Sequence, residues 1–109
     1  MVDGKADKKD TVLDTTLSRG RKENSTVGAG SFAFGGELEA TGEYAHAEGA
    51  YNGASGKASH VEGFGNTASG KYAHAEGYGS LAQGNYSHAE GGSNALGVLS
   101  HAEGNSSVA

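Results

Sequence analysis

One spacing governs what this chain can fold into. The tetrad His-Ala-Glu-Gly stands at residues 46–49, 74–77, 88–91 and 101–104, with His-Val-Glu-Gly at 60–63. The histidines step by 14, 14, 14 and then 13 residues. Four positions before each one is a glycine (Gly42, Gly56, Gly70, Gly84, Gly97), and two before that an alanine (Ala40, Ala54, Ala68, Ala82, Ala95). Stepping back 14 residues reaches Phe32-Ala33-Phe34-Gly35, with Gly28 in the earlier glycine slot. A further step, loosened to 15, reaches Leu17-Ser18-Arg19-Gly20. The lattice therefore covers residues 16–109 in about seven coils, with atypical first turns, as repeat arrays have at their ends.

A 14-residue unit with two glycine-marked corners predicts an all-β, parallel β-solenoid: two short strands and two tight turns per coil. The corner glycines are Gly28, Gly35, Gly42, Gly49, Gly56, Gly63, Gly70, Gly77, Gly84, Gly91, Gly97 and Gly104. They are expected to supply the positive φ that corners require. No 3.6-residue apolar period is present, and glycine is costly inside helices. A disordered low-complexity chain would not hold one His, one Glu and two Gly in register.

Alternation along a strand then sorts the side chains into two sets. The inner set is small: Ala45 and Ala47, Ser59 and Val61, Ala73 and Ala75, Ser87 and Ala89, Ser100 and Ala102. The outer set is large: Tyr44-His46-Glu48, Ala58-His60-Glu62, Tyr72-His74-Glu76, Tyr86-His88-Glu90 and Leu99-His101-Glu103. Phe32 and Phe34 hold the His and Glu slots of the first coil. A roll filled with alanine buries few methylenes, at about 0.8 kcal/mol each, against about 1–2 kcal/mol per residue ordered. The outer set, apart from Ala58, is therefore expected to be a subunit interface.

Composition narrows the function classes. The 109 residues include 20 Gly and no Pro or Cys, which excludes collagen, disulfide scaffolds and thiolate metal sites. No apolar run is long enough to span a membrane. Six of the eight Lys and Arg fall in residues 1–22, while the body from Glu23 carries nine Glu against Lys57 and Lys71. An acidic body does not suit nucleic acid, because phosphate contacts need Lys and Arg. Residues 1–15 read as a lead-in, with the strand-like stretch 11–17 as a cap on the first coil.

Ser31-Phe32-Ala33-Phe34-Gly35 followed by Ala40-Thr41-Gly42 resembles the head repeat of trimeric autotransporter adhesins. The His-Ala-Glu-Gly form resembles a related repeat of phage and prophage tail appendage proteins. The resemblance implies a left-handed parallel β-roll assembled as a homotrimer. It also implies a structural, non-enzymatic role on a virion or cell surface, with a host receptor engaged through a tip outside this chain. The His/Glu pair in place of an apolar pair, and no coiled-coil stalk or anchor, favour the phage form over an adhesin head. In an adhesin head, the rung-to-rung variable Tyr51, Phe64, Tyr78, Leu81 and Leu96 would carry binding. The lattice expects another Ala-x-Gly after Ala109, so the sequence reads as a piece of a longer protein.

Five His-x-Glu pairs resemble metal or acid–base chemistry, but every rung repeats the same atoms, whereas an active site differs from its surroundings. The pairs read as His–Glu contacts that relieve a ladder of like-charged Glu, with no catalytic, metal or cofactor site assigned. If Glu raises the His pKa values and His lowers those of Glu, stability peaks in mildly acidic to neutral solution. Gly65–Tyr72 nearly matches a phosphate loop, but Tyr72 replaces the hydroxyl that would hold magnesium.

Overall fold

The computed structural model describes residues 17–109; the lead-in at 1–15 and most of the stretch 11–17 lie outside them. The chain winds as a parallel β-solenoid of about six turns, with roughly 14 residues per coil. Each turn except the first and the last contributes one strand to each of two parallel ladders. The first ladder runs β1 (Leu17–Arg21), β2 (Phe32–Ala40), β3 (His46–Ala50), β5 (His60–Phe64), β7 (His74–Tyr78), β9 (His88–Glu90) and β11 (His101–Ala102). The second uses the end of β2, then β4 (Gly53–Ala54), β6 (Thr67–Ala68), β8 (Leu81–Ala82) and β10 (Asn94–Ala95). Among the described residues there is no helix, hence none long and apolar enough to cross a membrane.

Register follows the sequence lattice. His46 pairs with His60, His60 with His74, His74 with His88 and His88 with His101. The loosened first step is present as well, since Leu17 pairs with Phe32 and Arg19 with Phe34. The 13-residue step falls in the turn after Glu90. The buried Ser93 is the third residue after Glu90, where the buried Ser80 is the fourth after Glu76.

Alternation within each His-Ala-Glu strand buries the middle residue. Ala33, Ala47, Val61, Ala75, Ala89 and Ala102 line the interior from the first ladder. Ala40, Ala54, Ala68, Ala82 and Ala95 meet them from the second. Among the described residues, only Leu38 and Val61 are larger hydrophobic residues in this core. Stability therefore leans on backbone hydrogen bonds between coils, such as His46 N–H to Ser59 O (2.8 Å) and Ser55 N–H to Ala68 O (3.0 Å).

The two glycine columns differ in φ, which corrects one sequence expectation. The glycines that close the tetrads do have positive φ, as in Gly49 (101°) and Gly63 (109°). Gly28, Gly42, Gly56, Gly70, Gly84 and Gly97 do not. The first five are required by close approach: a Cβ built on Gly56 would lie 1.9 Å from the carbonyl oxygen of Gly70 in the next coil. The positive φ at this corner falls two residues later, on Tyr44, Ala58, Tyr72, Tyr86 and Leu99 (54–63°). Such a backbone costs an ordinary residue about 1–2 kcal/mol. It is held because the N–H of each of these residues bonds to a carbonyl of the preceding coil, as in Tyr72 to Lys57 O (2.8 Å).

A buried polar column at the other corner was not legible as a site from the repeat. Asn52 and Asn66 are completely enclosed, followed in the column by Ser80 and Ser93. The Nδ2 of Asn66 donates to Glu62 O and Gly77 O, both at 2.8 Å, and its Oδ1 accepts the Ser80 N–H at 2.7 Å. Asn52 serves Glu48 O, Gly63 O and the Asn66 N–H in the same way. The signal was available: the fourth residue after Glu48, Glu62 and Glu76 is Asn, Asn and Ser.

Candidate functional site

The most ordered outer feature is the first ladder's His/Glu face. Strand pairing puts one imidazole directly over the next, with centroids 4.4–4.7 Å apart from His46 to His101. The interplanar angle falls from 33° at the start of the column to 1° for the last two pairs. Phe32 continues the column, its ring 4.5 Å from His46. The Glu column runs alongside. Glu48, Glu62, Glu76 and Glu90 line an open groove floored by Gly63, Gly77 and Gly91.

Each histidine reaches the Glu two residues on, inside one chain. The Nε2–Oε1 distances are 2.8 Å at His46–Glu48, 3.3 Å at His60–Glu62, 3.0 Å at His74–Glu76, 3.3 Å at His88–Glu90 and 3.4 Å at His101–Glu103. Only His46–Glu48 has hydrogen-bond geometry. The Nε2 atoms of His60, His74 and His88 are screened from solvent and make no hydrogen bond, although a carboxylate oxygen stands close by.

The electrostatics of the central rung run opposite to the sequence expectation. Burial lowers the His60 pKa below the usual histidine value, and the neighbouring His46 and His74 lower it further. Glu62 and Glu48 pull it up by less. For His60, burial together with two flanking imidazoles outweighs what the half-exposed carboxylates return.

The tyrosines do not belong to the strand alternation. Tyr44, Tyr72, Tyr86 and Leu99 precede the strand and stand on the positive-φ corner. Strand alternation begins only at the histidine, two residues further on. These side chains are exposed and form a column of their own, with Tyr72 and Tyr86 stacked at 5.2 Å. Phe34 is exposed opposite Glu48 in register. On another corner Tyr51, Phe64 and Tyr78 form a third exposed aromatic column, with ring spacings of 5.3 and 5.4 Å.

Three side-chain columns therefore repeat along the solenoid: imidazole with carboxylate, tyrosine, and mixed aromatic. No protein-family model matches the chain, and no curated protein or solved structure matches it either.

Proposed function

We propose that the chain is a structural head or spacer module of a phage or prophage tail appendage, without catalytic activity. In this reading three copies pack about a common axis as a left-handed β-roll. The observation that supports it is the sameness of the turns. A catalytic centre needs a singular arrangement of nucleophile, base and stabilising donors. Here successive rungs present the same imidazole and carboxylate in the same register. A stiff rod needs that uniformity.

The packing supports association between copies. The core is almost all alanine, while Phe34, Tyr44, Tyr72, Tyr86 and Leu99 are 47–75% exposed. Those side chains lose contact with water only against another chain. A host receptor would be met by a tip outside this chain, on a virion or cell exterior, with no part for nucleic acid or membrane insertion.

A second reading, a cell-surface adhesin head, draws on the Tyr51–Phe64–Tyr78 column, which leaves aromatic edges in solvent. Sedimentation equilibrium at neutral pH tests the assembly. A mass near three times 10.9 kDa is expected; a folded monomer overturns the trimer. Receptor binding by this segment alone, abolished by Tyr78→Ala, would favour the adhesin head.

A further inference from the structure

We propose that the His/Glu ladder is a binding site for divalent transition-metal ions of the Zn²⁺ type, taking two ions per chain. The ligand sets are His46–Glu48–His60, His60–Glu62–His74, His74–Glu76–His88 and His88–Glu90–His101. In each set the ligand atoms lie within 4.8 Å of one another. Imidazole with one carboxylate suits Zn²⁺, Ni²⁺ or Cu²⁺ and not Mg²⁺ or Ca²⁺, which take oxygen ligands.

The distances point to shared coordination more than to hydrogen bonding. Two ligands at about 2.1 Å from one tetrahedral ion stand about 3.4 Å apart. The His–Glu separations of 3.0–3.4 Å from His60 onward fall at or just under that value. At His60, His74 and His88 the Nε2 lacks hydrogen-bond geometry to any acceptor, so its lone pair is free for a metal in the neutral ring. The second imidazole of each set closes the remaining distance by a rotation of these half-exposed side chains. Water completes the shell.

Sharing limits the count. Consecutive sets have a histidine in common, and one Nε2 lone pair serves one ion. Adjacent sets therefore exclude each other, and two ions fill the ladder as the first and third, second and fourth, or first and fourth sets. All the ligands of each set come from one chain.

The overlap gives a stoichiometric signature. Chelator-stripped protein is titrated with ZnCl₂ by calorimetry, with far-UV circular dichroism to check that each variant is folded. The wild type is expected to take two ions per chain. His60→Gln removes the first two sets and leaves a pair that shares His88, so one ion binds. His74→Gln removes the middle two sets and leaves a pair that shares nothing, so two ions still bind. Any other pattern overturns the proposal, including no binding, three or more ions in the wild type, or an equal drop in both variants. The wild-type count decides by itself if a variant does not fold.

Discussion

The side-chain oxygen of Asn52 accepts the backbone N–H of Asn66 one coil later, at 2.8 Å inside the solenoid. Asn66 repeats the arrangement toward Ser80. A buried carboxamide that takes over backbone partners ties three successive corners together, in a core too small in side chains to do so by apolar packing.

Asn66→Ala is therefore expected to destabilise the fold by about 2–4 kcal/mol, because it strands two part-buried carbonyls and one buried N–H. Asn66→Ser should cost less, since Ser80 fills the same column, donating to Glu76 O and accepting from Gly92 N–H. Urea unfolding of the two variants checks the order. Equal losses would mean that the carboxamide is not what holds this corner.

Glycine substitutions should separate close approach from empty space. At Gly56 a methyl group meets the Gly70 carbonyl at 1.9 Å, and backbone must move. Gly36 has no positive φ and nothing within 4 Å of the added carbon. Gly56→Ala should lower the melting temperature severely or prevent folding, whereas Gly36→Ala should leave it within a few degrees of wild type.

Ala58→Gly should be mildly stabilising, against the usual direction of alanine-to-glycine changes. Ala58 is held at φ 54°. Relief of left-handed strain outweighs the added freedom of the unfolded chain, for a net gain of about 0.5–1 kcal/mol. A measured loss would show that the corner is not strained at this residue.

The lowered pKa of His60 fixes the sign of one pH effect. As pH falls, the unfolded chain takes up this proton first, near pH 6.5, while the folded chain resists. The contribution is complete above about pH 6.5 and is lost as pH falls toward the folded value. The groups facing the ring are His46 and Glu48 from β3, His74 from β7, and Glu62 on its own strand. In chelator-treated protein, the melting temperature of wild type should drop more than that of His60→Gln between about pH 7.5 and about pH 5.5. Parallel curves would count against a depressed pKa.

The 14-residue spacing by itself determined the coil length, the parallel register and the alanine interior. One His over the next and one Ala under the next leave no other pairing, because a shift of a single residue would turn every side chain to the wrong face. The loosened step at Leu17 was legible for the same reason, as were the His/Glu columns. Only the tertiary structure decided the corners. Gly49 and Gly56 look alike in the repeat, and at both an added Cβ would meet a carbonyl of the next coil, at 2.2 Å and 1.9 Å; only Gly49 also needs a positive φ. Tyr72 takes the left-handed turn that a glycine would ordinarily take, because a carbonyl from the coil before holds its N–H. The Asn52–Asn66 column and the direction of the His60 shift are also products of stacking. Each depends on distances between residues 14 apart, which local sequence does not encode.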